Sequence, residues 1–237
     1  MGSDLTLQRD FVAQVLNHAD ESAVELALRL RDTHGGKVTA LTMGPPRAEG
    51  TLRELISRGV DDAILLTDKA FAGADTLATA RALTAAAEKL GPFDLLLFGR
   101  RAADGETGQV GPMTAAMLGI PCVANITGAE LDGDVLNASQ LTETGTVHWE
   151  TKLPAAVTLC EWSYALRLPT MRGLRAAKQA QIRIMTPADI GITDPSQIGL
   201  KGSPTRVTHI SVRPSGVRPT KWITAEQAME IAGEVLP

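Results

Sequence analysis

Residues 93–112, FDLLLFGRRAADGETGQVGP, combine residue types and spacings that suit the binding of an anion. An apolar run of strand length ends at Gly99, and charged residues, small residues and further glycines follow it. From Val110 onwards, apolar residues recur at helical spacing. A buried strand that enters a helix through such a bend can bind an anion, because free backbone N–H groups and the positive end of the helix dipole point at the bend. An ordinary loop, in which glycine only makes the turn, explains the same residues equally well.

Short apolar strands alternate with helical segments around this bend. Strands are predicted at residues 37–43, 62–67 and 94–98, and a helical pattern precedes each of them. This alternation predicts an α/β fold with three layers and a mostly parallel, Rossmann-like sheet. Right-handed crossovers bring the carboxyl ends of the strands to one edge, where such sheets bind their ligands.

The pattern changes after Pro121. Strand candidates follow one another without crossover helices at residues 123–127, 135–141, 146–149 and 155–160. They predict an antiparallel extension of the sheet within one domain, residues 1–185. Residues 186–237 are rich in proline and glycine, so we expect an extended C-terminal arm with a short last helix, packed on this domain or on a partner subunit.

The composition argues against several classes of function. The net charge of −4, with both signs interspersed, gives no indication of nucleic-acid binding. The sequence has no apolar run of membrane-spanning length and no signal-peptide pattern, so we expect no stable membrane insertion. Cys122 and Cys160 lie in apolar segments, as buried thiols in a reducing cytoplasm do. No Cys/His spacing indicates a metal site. We therefore expect a cytoplasmic protein of a bacterium or archaeon.

A cationic segment lies between the last two predicted strands. Arg167, Arg172, Arg175 and Lys178 surround Met171 in it. The simplest interpretation is a solvated loop that leads into a strand at residues 182–185. An exposed apolar side chain ringed by arginines is also typical of a loop that docks on a partner protein.

The sequence GRRAADGETGQVGP at residues 99–112, followed by LGIP at 118–121, resembles the signature of the electron transfer flavoprotein beta subunit. Counterparts of further blocks occur in that family in the same order, at residues 17–30, 38–46, 71–79, 152–155, 167–177 and 199–207. The resemblance extends over about residues 10–215.

The resemblance implies a carrier subunit rather than a stand-alone enzyme. It implies a heterodimer with an alpha subunit that holds most of the redox FAD and carries electrons from flavin dehydrogenases to an acceptor. The beta subunit itself is expected to bind an adenine nucleotide, which is AMP in the respiratory branch. In the electron-bifurcating branch it is a second FAD that accepts a hydride from NADH. Residues 104–111 and 71–79 resemble the bifurcating branch more closely, so FAD is expected and AMP is the alternative.

The resemblance also assigns residues to two sites. The nucleotide is expected at strand ends, against Asn17, Met43, Asp75, Thr76, Thr79, Gly99, Arg100, Ala102, Asp104, Thr107, Gly108, Gln109 and Val110. For Asn17, and for Asp75 with Thr76, plain helix capping is an alternative role. Either Arg100 or Arg101 could offset phosphate charge. The 167–177 loop is expected to contact the dehydrogenase through Arg167, Met171 and Arg172. No residue is expected to perform acid–base or nucleophilic catalysis.

One feature departs from the family. Its beta subunits open with an apolar strand of the type KIVVCVKQVPD, central to the sheet, and this sequence resembles the family only after that segment. The sequence starts late, or the nucleotide site is altered. In either case we expect exposed sheet edges that a partner or neighbouring chain would have to cover.

Two other functions are compatible with the sequence. The chain could be a non-redox nucleotide-binding module of the same architecture. It could also be a degenerate beta subunit that has lost its nucleotide and serves only as a structural partner of the alpha subunit.

Overall fold

The computed structural model describes residues 15–209 and 222–229. The described residues fall into two compact units, the first ending at residue 206 and the second beginning at residue 207. In the first unit the helices are α1 (His18–His34), α2 (Glu49–Ser57), α3 (Thr76–Leu90), α4 (Val110–Leu118) and α5 (Met171–Gln179). The strands are β1 (Thr39–Met43), β2 (Asp62–Leu66), β3 (Leu95–Gly99), β4 (Cys122–Asp132), β5 (Val135–Thr142), β6 (Gly145–Lys152), β7 (Ala155–Leu159) and β8 (Arg183–Met185).

The strands form two sheets. The first has the order β1-β2-β8 and is parallel throughout. The second has the order β3-β7-β4-β5-β6, in which β3, β7 and β4 are parallel and β5 and β6 add antiparallel strands. The predicted α/β fold, with mostly parallel strands and an antiparallel extension, is confirmed.

Helices α1 and α3 bury the apolar surfaces of these strands. On α1, Leu26 packs with Ile126, Val157 and Leu159 of the second sheet. On α3, alanines at helical spacing pack with Ile64 and with other apolar residues of the first sheet. Alanine leaves little side chain between helix and sheet, so α3 can approach closely. The alanine-rich sequence at residues 78–87 is therefore an adaptation to packing.

Strands β1 and β3 each pair with one other strand in the part of the chain that is described. The backbone groups of Leu41 and Met43 on β1, and of Leu95 and Leu97 on β3, point away from that paired strand. Both strands are half-buried along their length, whereas β7, which has two neighbours, is buried throughout. Each sheet therefore ends in a half-buried parallel edge.

The first unit extends further along the chain than the predicted domain of residues 1–185. Ile190, Ile192 and Ile198 are buried in its core together with Met185 of β8. These apolar residues are spaced among prolines and glycines without a regular period, which is why the sequence alone suggested an arm. The contacts of this stretch are with the α/β unit itself.

The second unit is described at residues 207–209 and 222–229. Thr224 caps a helical turn there, because its Oγ1 accepts a hydrogen bond from the N–H of Gln227 (3.3 Å). Gln227 Oε1 in turn accepts from the N–H of Thr224 (3.1 Å). The remaining part of the predicted last helix, the rest of the arm and the N-terminal segment 1–14 lie outside the described residues.

The cationic segment forms a helix where a loop was the simplest interpretation. Helix α5 begins at Met171, and Thr170 caps it by accepting a hydrogen bond from the N–H of Gly173 (2.9 Å). A helix of nine residues is marginal by itself. Packing against α2 stabilises it, and that long-range contact is not visible in the sequence.

Candidate functional site

The N-terminus of α1 meets the carboxyl end of β3 in a very close contact. The N–H of Gly99 donates a hydrogen bond to Asp20 Oδ1 (2.9 Å). A Cβ at Gly99 would lie 2.5 Å from that oxygen and 2.8 Å from the Asp20 nitrogen, so no larger residue fits without displacing α1. Burial raises the pKa of Asp20, although hydrogen bonds from Asn17 and Gly99 oppose this effect. Asp20 was not among the predicted site residues. Its position in the first turn after Asn17 was the only signal for it.

Asn17 connects α1 to the bend after β3. It occupies the N-cap position, but its side chain makes no capping hydrogen bond. Instead its Nδ2 donates to the carbonyl of Arg101 (2.8 Å) and to Asp20 Oδ2 (3.1 Å). Asn17 therefore holds the backbone of the predicted anion-binding bend, which helix capping alone would not do.

The bend itself is compact and faces solvent. Residues 102–107, which include Ala102, Asp104 and Thr107, are exposed. Gly108 has a φ of 63°, and a Cβ there would lie 3.3 Å from the carbonyl of Arg100. Gln109 precedes Val110, the first residue of α4, and makes no side-chain capping bond. The N-terminal turn of α4 thus opens toward the bend, in the geometry that suits a phosphate group.

Both arginines of the bend contact Glu161, two residues beyond β7. Arg100 Nη2 lies 3.0 Å from Glu161 Oε2, and Arg101 Nε lies 3.0 Å from Glu161 Oε1. Burial opposes ionisation of Glu161, but its own backbone N–H and the two arginines outweigh this and lower its pKa. The Nε of Arg100 is buried and has no hydrogen-bond partner in the structure. The sequence did not indicate Glu161.

The N-terminus of α3 reaches the same bend. Thr76 Oγ1 donates a hydrogen bond to Gln109 Oε1 (3.3 Å). Asp75 caps α3 through Oδ1, which accepts from the N–H of Ala78 (3.0 Å). Its Oδ2 accepts from the N–H (3.0 Å) and hydroxyl (2.7 Å) of Thr205. Both oxygens of Asp75 are therefore engaged within the protein.

The remaining predicted residues are near these elements. Thr79 lies in the first turn of α3, where its N–H donates to the carbonyl of Asp75 (2.9 Å). Met43 ends β1 and is half-buried against the core of the first sheet. Side-chain hydrogen bonds of Asn17 and Thr76 thus join the starts of α1 and α3 to the bend before α4.

Arg167, predicted to contact a dehydrogenase, forms ion pairs within the protein. Its Nε lies 3.0 Å from Oε2 of Glu25 on α1, and its Nη1 lies 2.7 Å from Asp32 Oδ2. Burial would raise the pKa of Glu25, but hydrogen bonds from Arg167 and Arg29 lower it overall. Arg167 therefore anchors the segment that leads into α5.

Helix α5 is held on α2 by further polar contacts. A Cβ at Gly173 would collide with the carbonyl of Ser57, so glycine allows the two helices to meet. Arg53 Nη1 donates to the carbonyls of Ala177 (2.7 Å) and Ala180 (3.0 Å) at the carboxyl end of α5. These contacts hold α5 in place against α2. Met171, the first residue of α5, is 72% exposed.

The surface around Met171 combines apolar and cationic side chains. Leu168 and Leu174 are exposed beside it, and Arg172 and Arg175 are exposed on the same short helix. An apolar centre with a charged rim is the usual composition of a protein-docking surface. No helix in the described ranges is long and apolar enough to span a bilayer.

Residues 4–190 match the electron transfer flavoprotein domain family. The electron transfer flavoprotein subunit beta of Thermoanaerobacterium thermosaccharolyticum is 43% identical over 207 residues, which cover 87% of this chain and 79% of that protein. Protein FixA of Azorhizobium caulinodans is 41% identical over 86% of this chain and 75% of its own length. The acryloyl-CoA reductase electron transfer subunit gamma of Anaerotignum propionicum is 40% identical over 86% and 79%.

The chain belongs to the electron transfer flavoprotein family, among its beta subunits. This confirms the family that the sequence of the bend indicated. As an electron transfer flavoprotein beta subunit, it forms a heterodimer with a partner subunit in flavin-related electron transfer. The bend and the start of α4 therefore lie in a protein whose family uses flavin.

The contact at Gly99 can be tested by substitution in this beta subunit. Gly99→Ala should lower the free energy of unfolding by about 1–3 kcal/mol, because the added methyl group overpacks the α1–β3 contact. Gly105→Ala is the matched control, since a Cβ there meets nothing within 4 Å. We expect it to change stability by less than about 0.5 kcal/mol. Urea denaturation measures both, and equal effects would contradict the assigned constraint.

The Glu25–Arg167 pair should make stability depend on pH. Because the pKa of Glu25 is lowered by folding, its ionised form contributes stability above the unfolded pKa, near 4.5. That contribution is lost as pH falls through the lower, folded pKa. Glu25→Gln should lower the free energy of unfolding by about 3 kcal/mol at pH 7 and by progressively less in acid. Denaturation from pH 7 to pH 3 tests this, with Glu143→Gln on the exposed β5–β6 turn as control; a cost that is constant with pH would contradict it.

Proposed function

We propose that this beta subunit binds FAD at the edge formed by the bend after β3 and the N-termini of α1, α3 and α4. The observation that carries the proposal is the convergence on the bend. Asn17 holds the carbonyl of Arg101, Asp20 holds the N–H of Gly99, and Thr76 holds Gln109. Three hydrogen bonds from the N-termini of two helices, α1 and α3, thus stabilise one glycine-rich loop in front of the N-terminus of a third helix, α4.

The residues present fit a nucleotide with phosphate groups. Gly108, with a φ of 63°, makes the turn that leads into α4, and the N–H groups at the start of α4 would hold phosphate oxygens. Gln109 and Thr76 supply polar side chains beside that helix start. FAD bound there would supply electron-transfer chemistry, including bifurcation of electrons from NADH, and the protein would orient it. AMP is the alternative ligand, with a structural role.

The proposed partners follow from the two surfaces and the family. An alpha subunit completes the heterodimer. The exposed face of α5, with Met171 and Arg172, docks a flavin-containing dehydrogenase, and Arg167 supports this face through Glu25. One relative is named as an electron transfer subunit of acryloyl-CoA reductase, and this name pairs an electron carrier with an oxidoreductase. We assign the complex to the cytoplasm.

Nucleotide analysis of the heterodimer tests the ligand. The beta subunit is co-expressed with its alpha subunit, and the denatured complex is analysed by chromatography for FAD and AMP. Two FAD per heterodimer are expected if the edge binds FAD. One FAD with one AMP assigns AMP to it. One FAD without AMP would overturn nucleotide binding and favour a subunit with a structural role only.

Substitution of Met171 tests the docking face. Met171→Glu places a charge in the apolar centre of the contact, so electron transfer from the dehydrogenase should slow by about tenfold or more. The nucleotide content should stay unchanged, because α5 packs on α2, whereas the bend is held by α1 and α3. Leu141→Glu is the control, since Leu141 is 68% exposed on β5, away from α5. Stopped-flow reduction of the heterodimer measures the rates, and equal rates in both variants would rule out docking through α5.

A further inference from the structure

We infer that Glu161 acts as an internal competitor for ligand phosphate on Arg100 and Arg101, and so limits the affinity of this edge for phosphate groups. The inference rests on the proposed nucleotide site. It assigns to Glu161 a role in ligand specificity that differs from direct binding of the nucleotide.

The first argument is the geometry of the three side chains. Glu161 Oε1 accepts hydrogen bonds from Arg100 Nη2 (3.2 Å) and from Arg101 Nε (3.0 Å), and Oε2 lies 3.0 Å from Arg100 Nη2. A guanidinium group binds carboxylate and phosphate oxygens with the same planar arrangement. Glu161 therefore uses the donors that a phosphate group at this edge would use.

The second argument is the sheet register, which fixes the contact. Strands β3 and β7 are parallel neighbours with Gly99 opposite Leu159, and the N–H of Arg100 donates to the carbonyl of Leu159 (2.7 Å). Arg101 and Glu161 each lie two residues beyond their strand, so they reach the edge side by side. The pairing is therefore built into the fold.

The third argument is the local charge. Arg101 is also 3.9 Å from Glu106, so two carboxylates lie near the two arginines. The arginines lower the pKa of Glu161 against the effect of burial, which keeps its carboxylate ionised. A phosphate group must compete with that charge for the arginines. A terminal phosphate monoester carries close to two negative charges, whereas each phosphate of an internal diphosphate carries one. The Glu161 carboxylate therefore repels the monoester more strongly.

The test compares AMP with adenosine, which has the same base and sugar but no phosphate. The heterodimer is freed of its adenine nucleotide at the beta site, and calorimetry measures the Kd of each probe. Glu161→Gln keeps the size of the side chain and removes its charge. We expect it to bind AMP about tenfold more tightly and adenosine with unchanged affinity.

Two further variants make the result specific. Glu106→Gln removes a carboxylate that is farther from Arg101 and 63% exposed, and we expect it to change AMP affinity less than about twofold. Arg101→Ala should weaken the binding of AMP about tenfold and leave the affinity for adenosine unchanged. The AMP affinity of Arg101→Ala also tests the arginine contact if the Glu161→Gln variant does not assemble.

The outcomes separate the inference from the proposed function. Unchanged or weaker AMP binding in Glu161→Gln, or an equal change for AMP and adenosine, would overturn the competitor role while leaving the nucleotide site intact. If Glu161→Gln does not assemble, unchanged AMP binding in Arg101→Ala would overturn it. No binding of either probe by the unsubstituted heterodimer would overturn the proposed site itself.

Discussion

The close contact between α1 and the end of β3 is the constraint on which the rest of the structure depends. It requires glycine at position 99, where any Cβ would meet Asp20. Once α1 packs there, Leu26 reaches the core of the second sheet, and Glu25, about one and a half turns after Asp20, reaches Arg167. The same helix therefore supports the bend at its N-terminus and the approach to α5 near its middle.

Helix α1 thus contacts the elements behind two separate surfaces, the bend and α5. The bend is exposed at its tip and is held from behind by Asn17, Asp20 and Thr76. Helix α5 is exposed at Met171 and is held from behind by Arg53 and by the contact of Gly173 with Ser57. In both cases hydrogen bonds and close packing within the protein hold the element in position, which would preorganise its exposed groups for binding.

Charge compensation is the second general feature. The arginines that sequence reasoning would offer to ligands mostly have a carboxylate partner in the structure: Arg167 has Glu25 and Asp32, and Arg100 and Arg101 share Glu161. A cationic motif in a sequence is therefore not equivalent to free positive charge on the protein. A ligand of the proposed site would therefore bind through backbone N–H groups and would compete with an internal carboxylate for the arginines.

The sequence by itself determined the α/β alternation, the antiparallel extension and the glycine-rich bend, because hydrophobic period and turn residues are local signals. It also determined the family, since the residues of the bend are specific to it. Only the tertiary structure decided that residues 171–179 are a helix, that Ile190, Ile192 and Ile198 belong to the core, and that Arg167 is an anchor. Asp20 and Glu161 were missed for the same physical reason. A carboxylate acquires its role from the backbone amide or guanidinium group that folding brings to it, and these partners lie 79 and 60 residues away along the chain.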